Sequence, residues 1–257
     1  MYSRPVSPLP IGAVLDSGFS LYRHSIKRAF PFALVSAVVA AIVNRSLTNG
    51  PSAEDGDALW LVATGTLLVS CVSLFLFVPV IATIKAIHDG RPLPPAEALR
   101  LAARRFFPVL GVAALYSAML IVGFFLFVVP AVWALVAFVF ALPAVCLERK
   151  GVLESLRYSF ELVKGRWWRT AVALTVGAAV LYVFIGSAVG AMLAFQSGEL
   201  VVDGQVHLPW YVDAIVLPVA TAALMPLLYA LLIALYADAK LRHEGEDIAA
   251  RIAALET

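Results

Sequence analysis

The chain has 257 residues, 62% of them apolar and 14% charged, with a net charge of +2. Soluble globular domains are about half apolar and about a quarter charged, so the composition excludes an ordinary soluble domain and places the chain in a membrane. About 20 apolar residues in a helix cross a hydrocarbon layer about 30 Å thick, and uncharged runs of that length recur along the sequence.

The first thirty residues hold no uninterrupted apolar core with a small-residue cleavage site, so no removable secretory signal is expected. Instead Ile11, Leu15, Phe19, Tyr22, Ile26 and Phe30 fall three or four residues apart, with Asp16, Arg23 and Lys27 elsewhere on the helical wheel. That pattern predicts an amphipathic helix at the membrane interface. It leads into a first span over Ala29 to Asn44, which reaches across if Lys27, Arg28 and Arg45 extend their charges to the interfaces. Ala33, Ala37 and Ala41 form a row of small residues on this span that suits close helix packing.

An acidic connection, TNGPSAEDGD, separates this span from a second one over Ala58 to Ile84, with Trp60 at its start and Pro79 within it. KAIHDG ends that span. A shorter amphipathic segment follows Pro94 and Pro95, with Leu99, Ala102 and Phe106 on its apolar side. The 42 residues from Phe106 to Leu147 carry no charge and must cross twice, turning at Val128, Val129 and Pro130. LERKG ends the fourth span.

The next segment, GVLESLRYSFELVKGRWW, repeats the amphipathic design. Leu153, Leu156, Phe160, Val163 and Trp167 make one stripe, and Glu154, Arg157, Glu161 and Lys164 place opposite charges three or four residues apart. It is expected to lie on the membrane surface and end at Gly165, with Phe160, Val163, Arg166, Trp167, Trp168 and Arg169 at headgroup level. Tyr22, Arg23, Phe30, Trp60 and Trp210 are the other expected interface residues, as an aromatic and basic belt requires. The fifth span, Thr170 to Gln196, carries Gly186 and Gly190 as a second small-residue row. In LVVDGQVHL, Asp203 and Gly204 between β-prone residues are compatible with a two-residue hairpin. The sixth span, Ala214 to Ala237, contains Pro226 and ends in KLRHEG, ahead of a tail over 238–257.

The expected fold is therefore all-α, a single membrane domain of six transmembrane helices. The similarities VLDS to VLES and KAIHDG to KLRHEG divide it into three units running in one direction, about 9–90, 91–151 and 151–245, each an interfacial helix plus a helical hairpin. Glycines at 90, 151 and 245 stand where left-handed helix caps would fall. Eighteen of the 19 lysines and arginines lie on one side of this topology with 11 acids; Arg45 alone faces six acids on the other. Lysine and arginine are retained on the cytoplasmic side, so both termini are expected there.

Chemistry-bearing patterns are sparse. No ionisable residue lies near the middle of a span, where its cost would mark transport or proton chemistry. Cys71 and Cys146 share no motif and read as packing residues, and His24, His88, His207 and His243 are scattered singly. No phosphate loop, nucleophile elbow or metal-ligand spacing is present, so no catalytic residue, cofactor or metal is expected. The basic residues form no dense run, which argues for anionic lipid headgroups and against nucleic acid. Pro79, Pro143 and Pro226 are expected to kink the three inward spans.

The stretches LPIGAVLDSGFSLYRHSIKRAFP, ALPAVCLERKGVLESLRYSFELVKGRWWRT and ALYADAKLRHEGEDI resemble the membrane domain found ahead of some bacterial glycerophosphodiester phosphodiesterases and also found alone. The resemblance implies six helices in the cytoplasmic membrane of a prokaryote. It carries over no phosphodiesterase activity, because no residue here matches a catalytic position of that family. The function expected is non-enzymatic: organising or partnering other membrane proteins or lipids, with nothing in the sequence that supports a homo-oligomer. The alternative is transport or lipid handling along a path between the units, for which Ser70, Ser73, Thr175, Ser187 and Thr221 would be the polar lining.

Overall fold

A computed structural model describes residues 5, 7–48, 56–194, 201–202, 205–206 and 211–255. Eight helices dominate: α1 (Ile11–Thr48), α2 (Gly56–His88), α3 (Pro95–Leu126), α4 (Val128–Ala137), α5 (Ala141–Leu147), α6 (Val152–Val163), α7 (Trp167–Ala194) and α8 (Leu217–Leu255). Six stretches are long and apolar enough to span a bilayer, with α4 and α5 together making the fourth. Val201–Val202 (β1) pairs antiparallel with Gln205–Val206 (β2), and the turn itself, Asp203 and Gly204, lies outside the described residues. A π-helical turn over Val212–Val216 leads directly into α8.

Only the third amphipathic segment is a separate helix. The first is the opening of α1, a continuous 38-residue helix through Pro31, about 57 Å long and so far longer than one crossing. The second is likewise the opening of α3, continuous through Pro108. Proline sits inside both helices near the expected join, yet neither chain breaks there.

The buried face of α1 also departs from the expected stripe. Val14, Gly18, Leu21, Ser25, Ala29, Ala33 and Ala37 are buried, whereas Ile11, Leu15, Phe19, Tyr22, Ile26 and Phe30 are only half-buried beside them. The reason is the solvent. Lipid gives large apolar side chains no drive into the protein, so contact is made through small residues that let backbones approach. At Gly18 an added Cβ would lie 2.6 Å from Leu231 Cδ2 and 3.0 Å from Leu231 Cα, so α1 and α8 meet almost backbone to backbone.

The clearest effect of a proline is a break in the fourth span. Helices α2 and α8 run on through Pro79 and Pro226. The fourth span breaks at Phe138–Phe140, just ahead of Pro143, which can neither donate to the Val139 carbonyl nor accommodate it sterically. Of the three expected caps, Gly90 alone is left-handed, at φ 70°. Its N–H donates to Ile87 O and that of Arg91 to Ala86 O, closing α2 in a Schellman motif. Gly151 has φ −70° and is the N-cap of α6, with Arg149 taking the left-handed position instead. Gly245 caps nothing, because α8 continues to Leu255, through most of the expected tail.

Burial is concentrated at one end of the bundle. Buried residues run from 14 to 37 on α1, 76 to 88 on α2, 98 to 112 on α3, apart from Gly123 near its far end, and on α8 from 222 to 239, apart from Pro218 near its start. Toward the opposite end, Ile42, Trp60, Leu67, Phe125, Phe127, Val129, Tyr182, Val183 and Ile215 are exposed. The packed end is where α2, α5 and α8 finish and where the charges lie.

Candidate functional site at the charged end of the bundle

Two polar clusters knit the packed end. In the first, Asp238 on α8 is 5% exposed. Its Oδ2 accepts from Arg169 Nη2, at the start of α7, and from Arg242 Nε, both at 2.9 Å. The same carboxylate accepts the Leu9 N–H at 2.8 Å, and Leu9 O accepts from Arg242 Nη2 at 2.7 Å and from Arg169 Nη2. The backbone N–H and C=O of one residue ahead of α1 are thus clamped by three charged side chains of α7 and α8. Arg169 Nε is buried without a partner.

In the second cluster Glu148, just past α5, accepts from Lys240 Nζ at 2.7 Å and from the Tyr236 hydroxyl at 3.2 Å, both on α8. Tyr236 is fully buried with its ring 5.6 Å from that of Phe140. Lys85 pairs with Asp89, whose Oδ1 lies 3.1 Å from His88 Nδ1. Burial pushes the Glu148 and Asp89 carboxyls up. The hydrogen bonds and charges of Lys240 and Tyr236 on Glu148, and of Lys85 and His88 on Asp89, outweigh it and hold both below the ordinary range. Glu148, Tyr236, Lys240, Lys85 and His88, with Pro5, Ser7 and Leu9, line a cleft of about 60 Å³, room for a few waters rather than for a substrate.

Helix α6 closes this end. Its buried residues are Ser155, Leu156, Ser159, Leu162 and Val163, while Leu153 is 74% exposed, so the buried face is turned from the expected stripe toward the serines. Ser159 explains the turn. Its hydroxyl donates to Ala137 O at 2.9 Å and accepts the Phe140 N–H at 3.1 Å, occupying both groups freed by the break between α4 and α5. Phe160 is half-buried with its ring 6.0 Å from that of Trp133 and 6.4 Å from that of Phe138. Outward, Arg157 pairs with Glu161, and Lys150 pairs with Glu154 and covers the Tyr158 ring. Helix α6 ends at a left-handed Gly165.

The expected interface residues fall into separate groups. Arg166, Trp167, Trp168 and Arg169 open α7; Trp167 Nε1 donates to Trp133 O at 3.3 Å, and its ring meets that of the 76%-exposed Trp168 edge to face at 4.8 Å. Tyr22 and Phe30 pack on the main core, with the Tyr22 hydroxyl donating to Ala223 O at 2.9 Å, and Arg23 is exposed. Trp60 is exposed at the far end and Trp210 lies outside the described residues. Ala33 and Ala37 are in the core, whereas a Cβ added at Gly186 or Gly190 would meet nothing within 4 Å.

The expected polar lining does not converge. Ser70 and Ser187 donate to carbonyls of their own helices, at Thr66 and Phe184, and Ser36 donates to Ser73 between α1 and α2. Thr175 and Thr221 are exposed. No group of three or more histidine, cysteine or acidic side chains is placed to hold a metal among the described residues.

The sequence reading passed over Asp238, Glu148, Lys240, Leu9 and Ser159. A signal existed for Asp238, an acid in the apolar run ALYADAK four residues before Arg242. The Leu9 peptide left none.

Comparison with curated proteins and with solved structures found no similar chain. The family described as the membrane domain of glycerophosphoryl diester phosphodiesterase matches residues 112–249, from the middle of α3 into α8, and so takes in Glu148, α6, Arg169 and Asp238 but not the opening segment. With more than half of its length matched, this multi-pass chain belongs to the family of glycerophosphoryl diester phosphodiesterase membrane domains.

Proposed function

We propose that this chain is a non-catalytic protein of the cytoplasmic membrane, with both termini inside, that associates laterally with other membrane proteins. The observation that carries the reading is the uneven packing. Charged ties close one end, whereas the far halves of α2, α3 and α7 present broad apolar surface, including the open Gly186 and Gly190 row on α7. Small residues on a lipid-facing helix are suited to meeting another helix, and a Cβ added at either glycine meets nothing within 4 Å among the described residues.

The test is purification of the tagged chain in native lipid discs, beside Gly186→Leu and Gly190→Leu. The expected outcome is a defined set of membrane proteins lost from both variants while the melting temperature holds. Partners that persist in both variants, or no partner at all, would sink the reading.

A second reading, lipid handling, draws support from the broken fourth span, since discontinuous spanning helices are a recurring feature of transport sites. It expects reconstituted liposomes to scramble a fluorescent lipid, and scrambling at the rate of protein-free liposomes would eliminate it.

A further inference from the structure

We propose that a groove between α1 and the α2–α3 connection is a binding site for the headgroup of an anionic phospholipid. It is lined by Lys27, Arg28, Pro31 and Phe32 of α1, Thr83 of α2, and residues 92–95. Its volume, about 440 Å³, falls in the range of small-molecule pockets, roughly 300–1,000 Å³.

Three observations converge on this occupant. The first is charge. On the α6 and α8 side of the packed end, several cations are paired with acids, as in Lys150 with Glu154, Arg157 with Glu161, and Lys240 with Glu148. Lys27 and Arg28 are exposed and take part in no ion pair with any described residue. Adjacent unneutralised cations repel one another, and an anion between them removes that cost.

The second is a hydroxyl. Thr83 is 3% exposed and lines the groove, yet its side chain has no hydrogen-bond partner among the described residues. A helical threonine ordinarily turns its hydroxyl to the carbonyl one turn back, whereas the Thr83 hydroxyl is left available to a ligand in the groove it lines. A phosphate oxygen in the groove would accept that bond.

The third is the wall. Pro92, Pro94 and Pro95 have no N–H, and with Leu93, Pro31 and Phe32 they form an apolar surface beside the two cations. That combination fits a molecule with a phosphate and a greasy body better than a free anion. The groove lies where the apolar runs of α1 and α2 give way to charge, the level at which a bilayer presents its phosphates. Phosphate between two cations and a hydroxyl, with acyl chains leaving past Phe32 into the bilayer, satisfies every group in the groove.

The experiment is lipid titration of the full chain in a neutral detergent, read as melting temperature and as lipid adducts by native mass spectrometry. Phosphatidylglycerol is the probe, with phosphatidylcholine and inorganic phosphate as the comparison arms. Phosphatidylglycerol is expected to raise the melting temperature and give adducts where the other two do not. Thr83→Val, which keeps the shape and removes the hydroxyl, should weaken apparent phosphatidylglycerol affinity about tenfold, as expected for one hydrogen bond to a charged group. Lys27→Gln with Arg28→Gln should abolish the preference over phosphatidylcholine, and Arg157→Gln with Lys164→Gln on α6 should leave it intact.

An equal response to inorganic phosphate would overturn the lipid assignment. A loss in the α6 pair as large as in the α1 pair would overturn the site. Because Thr83→Val changes no charge, wild-type affinity in that variant would overturn the proposal even if the double variant failed to fold.

Discussion

The Asp238 carboxylate accepts the Arg169 guanidinium at 2.9 Å while almost wholly withdrawn from solvent, and this pair ties the start of α7 to α8. Arg242 shares the same carboxylate. Removing one member of a buried pair leaves the other charge uncompensated, at about 3–5 kcal/mol. Asp238→Ala, which strands two guanidiniums, should therefore lower the detergent melting temperature strongly and loosen the segment around Leu9 to protease. Arg157→Ala, from a pair exposed at 82% and 43%, should change little. Similar small shifts in both variants would show that the clamp adds nothing to stability.

Ser159 holds the broken fourth span by occupying Ala137 O and Phe140 N–H, and its own side chain is fully buried. Ser159→Ala keeps nearly the same volume but strands both backbone groups, each at about 1–3 kcal/mol. A marked drop in melting temperature is expected, together with faster hydrogen exchange confined to residues 137–141. Unchanged exchange there would mean that water or lipid replaces the hydroxyl without loss.

Why the spans were legible and the clamps were not has a physical answer. A crossing requires a run of apolar residues of fixed length, which composition records directly, so Phe106 to Leu147 had to be two passes. The face of a membrane helix that meets protein is recorded less directly, because lipid and protein interior are both apolar. On α1 the large residues, Phe19 and Ile26, pointed one helical position away from the buried Gly18 and Ser25. The break ahead of Pro143 was half legible: the proline was visible in the sequence, whereas its repair by Ser159, 16 positions on, depends on where α6 docks. The Leu9 peptide contributes only backbone to its clamp, and backbone leaves no trace in residue type.

Glu148 fixes a pH window. Its carboxyl is held below the ordinary value of 4.5, as burial is outweighed by Lys240 and Tyr236. A group whose folded pKa is depressed contributes stability above its unfolded pKa and loses it as pH falls through the folded value. The melting temperature should therefore stay level from neutral pH down to about 5, then fall. Glu148→Gln should flatten part of that decline, and adding Asp89→Asn should flatten more, because Asp89 is depressed in the same sense. A wild-type slope in the double variant would show that other carboxylates dominate acid sensitivity.

The turn between α3 and α4 is a single residue, Phe127, and Gly123 makes it possible. A Cβ built on Gly123 would lie 2.9 Å from Ala131 N and 3.0 Å from Ala131 Cα. These are backbone atoms, so no side-chain rotation relieves the clash, and the two helices must separate. Overpacking of this kind costs about 1–3 kcal/mol, and here it would also stretch the Phe127 N–H bond to Gly123 O, now 3.1 Å. Gly123→Ala should lower the melting temperature by several degrees. Gly190→Ala should leave it level or raise it, because a Cβ there meets nothing within 4 Å and alanine favours a helix by up to about 1 kcal/mol over glycine. If the two changes behaved alike, the close approach of α3 and α4 would not be a determinant of the fold.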